Sequence, residues 1–193
     1  MKYRTLYSMV GYFRSTLPNL LTILRVLAIP AIVCSFYIQN DSSNYIAFII
    51  FIFACITDFF DGYLARIWQT QSKFGRLFDP IADKLIVSAT LIMLVYIGKV
   101  TKLTIIPVVI IICREILISG LREFLISMNF KIPVIKLGKV KTFIQMAAIA
   151  MLMLDYSIIL YVADVILYVA AGLTVYSAYL YICVALRQIY SQE

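Results

Sequence analysis

The stretch that decides the reading is Thr57–Lys84, TDFFDGYLARIWQTQSKFGRLFDPIADK, in which Asp58, Asp61, Asp79 and Asp83 lie between apolar runs long enough to cross a bilayer. An ionised Asp at the centre of a membrane helix costs about 2.5–3.5 kcal/mol even on the mildest insertion scale. Four carboxylates without as many fixed cations beside them need an external counter-charge, and a bound divalent metal is the simplest one. Asp58 and Asp61 are three residues apart and Asp79 and Asp83 four apart, so each pair shares a helix face. Two consecutive helices can therefore aim four hard oxygen donors at one point, a set suited to Mg²⁺ or Mn²⁺.

The remainder of the chain agrees with a membrane setting. Of 193 residues, 63% are hydrophobic, and the mean hydropathy is +0.96. Such values point to a polytopic, all-α integral membrane protein. The net charge of +7 on this background suggests cytoplasmic loops and anionic head groups as partners, not nucleic acid. There is no histidine, which excludes His-based acid–base chemistry, His ligation and a phosphohistidine intermediate. Cys34, Cys55, Cys113 and Cys183 each stand alone in an apolar run without ligand spacing and read as small core hydrophobes.

Hydropathy windows give six spans, at about 20–39, 44–65, 80–98, 103–126, 140–158 and 160–184, joined by short loops into one membrane-embedded domain over 1–193. With the N-terminus inside, Lys2, Arg4, Arg14, the 66–84 and 122–141 clusters and Arg187 all become cytoplasmic, leaving Lys99 and Lys102 outside. That is an N-in, C-in orientation. Residues 1–17 lack the apolar core and small-residue cleavage site of a signal sequence. They read as an amphipathic surface helix with Tyr3, Leu6, Tyr7, Val10 and Phe13 near one face, broken by Pro18 and Asn19 before the first span.

Plainer readings exist for single residues. Asp79 before Pro80 suits an N-cap with proline at the first helical position, and Gly62 and Ala65 suit close helix packing. Capping does not account for Asp58 and Asp61, which the span boundaries put near a helix C-terminus, where the dipole disfavours negative charge. Arg66, one turn after Gly62, offers a forked cation to a phosphate.

Written out, the spacing is Asp58-x2-Asp61-Gly62-x2-Ala65-Arg66-x8-Gly75-x3-Asp79-x3-Asp83. At every fixed position this resembles the signature of the CDP-alcohol phosphotransferases. The resemblance implies six transmembrane helices, a homodimer, and a metal-dependent site at the cytoplasmic membrane surface where an alcohol displaces CMP from a CDP-linked donor. It also implies that Asp58, Asp61 and Asp79 are metal ligands. Asp83 would be the general base and touch a second metal. Gly62, Ala65, Arg66 and Gly75 would cradle the nucleotide diphosphate, beside Asp58.

The acceptor is read from three further segments. PNLLTILR (18–25) places Asn19, Thr22 and Arg25 at helical spacing toward the site, with Asn19 and Thr22 as candidate CDP contacts. REILISGLRE (114–123) puts Arg114 and Arg122 two turns apart in an apolar span, where arginines are functional by default unless Glu115 and Glu123 simply neutralise them. LGKVKTFIQM (137–146) adds Lys139 and Lys141. Together the segments resemble the phosphatidylglycerophosphate synthase branch, which uses CDP-diacylglycerol and sn-glycerol 3-phosphate, and imply that Arg114, Arg122, Lys139 and Lys141 hold the acceptor phosphate. A cardiolipin synthase of the same fold, with phosphatidylglycerol as acceptor, is the nearest alternative. A divalent-cation transporter would spread its acids along a crossing pathway, whereas these cluster on the cytoplasmic side.

Overall fold

Long apolar stretches without internal breakers fold as helices because a bilayer offers the backbone no other hydrogen-bonding partner. The computed structural model describes residues 2–38, 43–68, 73–128, 130, 137–154 and 156–190. The side chains of 2–18, 61–66, 68, 73–74, 76–77, 137, 139 and 189–190 lie outside that description. Among the described residues there are six helices: α1 (Lys2–Tyr37), α2 (Ser43–Trp68), α3 (Lys73–Tyr96), α4 (Ile105–Ser127), α5 (Leu137–Leu152) and α6 (Ser157–Tyr190). Among the described residues there is no strand.

Three helices contain segments long and apolar enough to cross a membrane: Asn19–Tyr37, Ser43–Phe60 and Ser157–Gln188. In α3 the apolar windows are interrupted by Asp79, Asp83 and Lys84, and in α4 by Arg114, Glu115 and Arg122. The 16 residues of α5 rise only about 24 Å, short of a ~30 Å hydrocarbon core. Large apolar side chains such as Phe59, Phe143, Ile158 and Tyr161 are exposed, as on a surface that faces lipid.

By its internal contacts the chain forms two compact units, 1–93 and 94–193. In the first, α1 packs on α2, and Ile32, Phe36, Phe51, Ile86 and Leu91 are buried. In the second, α6 packs on α4 and on α5. The buried stripe of α6 runs Ala163, Leu167, Ala170, Thr174, Ser177, Tyr181 and Ala185, three or four residues apart. Its small members let helix backbones approach closely, which is how apolar helices associate when lipid removes the hydrophobic drive.

Several boundaries differ from expectation. The break at Pro18 and Asn19 does not occur: α1 is helical without interruption from Lys2 to Tyr37. Helix α1 carries both Pro18 and Pro30 in its interior, as membrane helices can where neighbouring groups re-satisfy the freed backbone carbonyls. Helix α3 begins at Lys73, so Pro80 is internal and Asp79 is no N-cap. Helix α2 continues to Trp68, which leaves Asp58 well inside it, beyond the last turn where the dipole acts. The cysteines are free, but Cys34 and Cys113 are exposed and Cys55 and Cys183 half-buried, so none is a core residue. Apolar neighbours do not mark the inner face of a helix whose outer face meets lipid.

Gly98 ends α3 with φ +75°. Its N–H donates to the Val95 carbonyl at 3.1 Å and the Lys99 N–H to the Leu94 carbonyl at 3.0 Å, the paired bonds of a Schellman cap. A Cβ at Gly98 would meet no neighbour within 4 Å, so the penalty for Gly98→Ala is purely conformational. We expect a loss of about 1 kcal/mol in detergent unfolding, from placing a Cβ in the left-handed region.

Candidate active site

Helix α1 sets the geometry of the first unit. Thr22 and Arg25 are three residues apart and both buried, so they project from one face. The Thr22 hydroxyl donates to Asp79 Oδ1 at 2.6 Å. Arg25 Nη1 lies 2.9 Å from Asp83 Oδ1 and 3.0 Å from Asp58 Oδ1. Three helices thus meet at carboxylates: α1 supplies the donors, α2 carries Asp58, and α3 carries Asp79 and Asp83 one turn apart.

Burial of the guanidinium makes the pairing obligatory. Arg25 is 1% exposed, while Asp58 and Asp83 keep about a third of their surface, at 34% and 38%. A buried, unpaired cation is strongly destabilising, and two carboxylates at one nitrogen offset that penalty. Among the described residues, Asp58, Asp79 and Asp83 bring hard carboxylate oxygens to this face of α1. A divalent cation fits such a donor set. Among the described residues no group of three or more acidic or sulfur ligands closes into a ready-made metal cage. Asp61, Gly62, Ala65 and Arg66 belong to α2, but their side chains lie outside the described residues. Gly75 is buried in α3, and Asn19 is half-buried in α1.

In the second unit the basic residues form a different kind of cluster. Arg114 Nη2 donates to Ser177 Oγ at 2.5 Å, and Nη1 reaches Glu115 Oε1 at 3.5 Å. The same Glu115 oxygen accepts from Lys141 Nζ, and Lys141 is only 3% exposed. Arg122 is exposed, yet its Nη2 donates to the Tyr181 hydroxyl at 3.1 Å. Its guanidinium also lies over the Tyr181 ring, 5.6 Å from the centroid. The neutralising reading therefore holds in half: Glu115 pairs with Arg114 and Lys141, while among the described residues Glu123 makes no ion pair with Arg122. Lys139 is on α5, with its side chain outside the described residues.

The structure thus brings together Thr22, Asp58, Asp79 and Asp83 in one unit, and Arg114 and Lys141 in the other. The link from Arg25 to two of the aspartates was not foreseen, though its spacing from Thr22 already placed it on that face. Ser177 and Tyr181 went unnoticed in a helix without a motif. The available signal was polar Thr174, Ser177 and Tyr181 recurring at helical spacing in an otherwise apolar span.

Comparison with known proteins agrees with these features. A family model described as CDP-alcohol phosphatidyltransferase matches residues 15–189. A CDP-diacylglycerol–glycerol-3-phosphate 3-phosphatidyltransferase of Rickettsia felis is 46% identical over 170 residues, 86% of this chain and 92% of its own length. The protein of that name from Haemophilus influenzae is 43% identical over 172 residues, 88% of this chain and 92% of its own. A plant relative, CDP-diacylglycerol–glycerol-3-phosphate 3-phosphatidyltransferase 2 of Arabidopsis thaliana, is 41% identical and aligns with 86% of this chain and 78% of its own.

Replacing Arg25 with Met should lower unfolding stability by about 2 kcal/mol, below the usual loss for a wholly buried pair because the carboxylates are partly solvated. Thr22→Val should lose about 1.5 kcal/mol, the worth of a hydrogen bond to a charged group. Chemical unfolding of the purified protein in detergent measures both.

Proposed function

The chain belongs to the CDP-alcohol phosphatidyltransferase family, and from that premise we propose that it transfers the phosphatidyl group of CDP-diacylglycerol to sn-glycerol 3-phosphate. The products are phosphatidylglycerophosphate and CMP. The observation that carries this reading is the convergence of Asp58, Asp79 and Asp83 on Thr22 and Arg25. The names of relatives 43–46% identical over most of the chain support the choice of acceptor.

Asp58, Asp61, Asp79 and Asp83 would hold Mg²⁺ or Mn²⁺, whose charge would neutralise the diphosphate and stabilise the departing CMP. Asn19, Thr22, Asp58, Gly62, Ala65, Arg66 and Gly75 bind the CDP moiety. Asp83 is the general base. It accepts the proton of the acceptor hydroxyl as that oxygen bonds to the donor phosphorus and the bond from phosphorus to CMP breaks. Arg25 holds the Asp83 carboxylate in a fixed direction, and positioning of this kind supplies much of the rate in phosphoryl transfer. Arg114, Arg122, Lys139 and Lys141 bind the phosphate of the acceptor.

The same reading covers placement. The protein has six membrane-spanning helices, α3, α4 and α5 completing the set that the more apolar helices begin. The N-terminal part of α1, up to residue 17, would lie along the membrane surface. The chain acts as one catalytic domain in a homodimer, N-in and C-in, in the cytoplasmic membrane. The distribution of Lys and Arg supports that orientation.

The deciding assay incubates the purified protein with CDP-diacylglycerol, Mg²⁺ or Mn²⁺, and either sn-glycerol 3-phosphate or phosphatidylglycerol. CMP release is expected with glycerol 3-phosphate and should vanish on adding a chelator. Asp83→Asn should reduce it about 10²–10⁴-fold, the usual worth of a general base, while the protein stays folded. Turnover with phosphatidylglycerol alone would assign a cardiolipin synthase instead, and metal flux into proteoliposomes without CMP release would assign a transporter.

A further inference from the structure

We propose that Ser177 and Tyr181 of α6 are positioning residues, fixing the Arg114 and Arg122 guanidiniums in the directions from which they bind the acceptor's phosphate. The proposal rests on the acceptor reading given above and adds to it a helix that carries no recognisable signature.

The inner stripe of α6 is made of small and apolar side chains except at Thr174, Ser177 and Tyr181. Polar groups on a buried helix face are unfavourable unless they meet a partner. Two of these partners are guanidiniums of α4. Ser177, fully buried, sits 2.5 Å from Arg114 Nη2, and Tyr181, 7% exposed, holds Arg122 through both its hydroxyl and its ring.

Two features separate this network from ordinary helix packing. Its charge does not close: among the described residues Glu115 is the one acid paired with this set, bonding Arg114 and Lys141 but not Arg122, so positive charge is in excess. One donor is also left over, because Arg114 Nε is buried without a hydrogen-bond partner among the described residues. That donor is open to an acceptor oxygen brought by a ligand. An anion with several acceptor oxygens completes both the charge and the donor count, and phosphate is the form that forked guanidiniums match best.

Arg122 makes the same point from the other side. An exposed arginine ordinarily samples many rotamers and loses that freedom on binding a ligand. Here one tyrosine clamps it through a hydrogen bond and a cation–π contact, so the loss is met on folding instead. Ser177 and Tyr181 touch the arginines and not the reacting atoms, so their removal should weaken acceptor binding without slowing the chemical step.

The test is steady-state CMP release by the full-length protein in detergent, with CDP-diacylglycerol and sn-glycerol 3-phosphate varied in turn, for wild type, Tyr181→Phe and Ser177→Ala. Tyr181→Phe keeps the ring and should raise the KM for glycerol 3-phosphate roughly fivefold; Ser177→Ala should raise it roughly tenfold, as expected for hydrogen bonds to a charged group. The KM for CDP-diacylglycerol, kcat and the unfolding midpoint should stay within about twofold or a few degrees of wild type. An unchanged acceptor KM in both variants overturns the positioning role, and so does a parallel rise of both KM values with a lowered unfolding midpoint. A wild-type protein that releases no CMP with glycerol 3-phosphate overturns the acceptor assignment itself, and the positioning role falls with it.

Discussion

A single guanidinium nitrogen, Arg25 Nη1, lies about one hydrogen-bond length from a carboxylate on α2 and another on α3. The rest of the first unit depends on that junction. Without a cation between them, the partly solvated Asp58 and Asp83 would repel at short range, and the stretches of α2 and α3 that carry them would lose their common anchor. Burying Arg25 converts that repulsion into a restraint. Thr22, one turn away, adds a neutral hydrogen bond that orients Asp79 without cancelling its charge. The aspartates are therefore held in place by the protein while still presenting hard oxygen donors.

The second unit solves the opposite problem with mirrored chemistry. Cations predominate there, and Glu115 is placed where Arg114 and Lys141 can share it. One acid between two bases lowers the self-repulsion of the cluster but leaves it positive. Hydroxyls from α6 then fix directions without changing charge, as Thr22 does in the first unit. In each unit, an ion of the minority sign holds the majority together and a neutral donor or acceptor does the aiming.

The legible part of this arrangement was the part written in spacing. Asp58 on α2 and Asp79 and Asp83 on α3 could be brought together from their intervals alone, because helical periodicity fixes which residues share a face. Hydropathy located six helical segments, of which three carry a stretch long and apolar enough to cross a membrane. What escaped had a physical reason in each case. Asp79–Pro80 carries the local signature of a helix start, yet the preceding Lys73–Phe78 is also helical, and tertiary context overrode the local signal. The length of α2 was underread because its C-terminal end turns polar before it stops being helical. Arg25 was visible as a residue on the correct face, but only the fold shows that one of its nitrogens reaches two carboxylates. Ser177 and Tyr181 act through contacts across α4 and α6, and separations of 63 and 59 residues leave no local pattern to find.

The buried stripe of α6 has a consequence for how such proteins diverge. Ala163, Ala170 and Ala185 are constrained by volume, since a larger side chain there would push whole helices apart, whereas the lipid-facing side tolerates any apolar residue. Two homologues could therefore differ at most positions of this helix and still have kept everything that matters in it. At the alanines, in contrast to Ser177 and Tyr181, the information is stored as size instead of as chemical identity. A search for motifs passes over such a record, while a comparison of side-chain volumes along the stripe would read it directly.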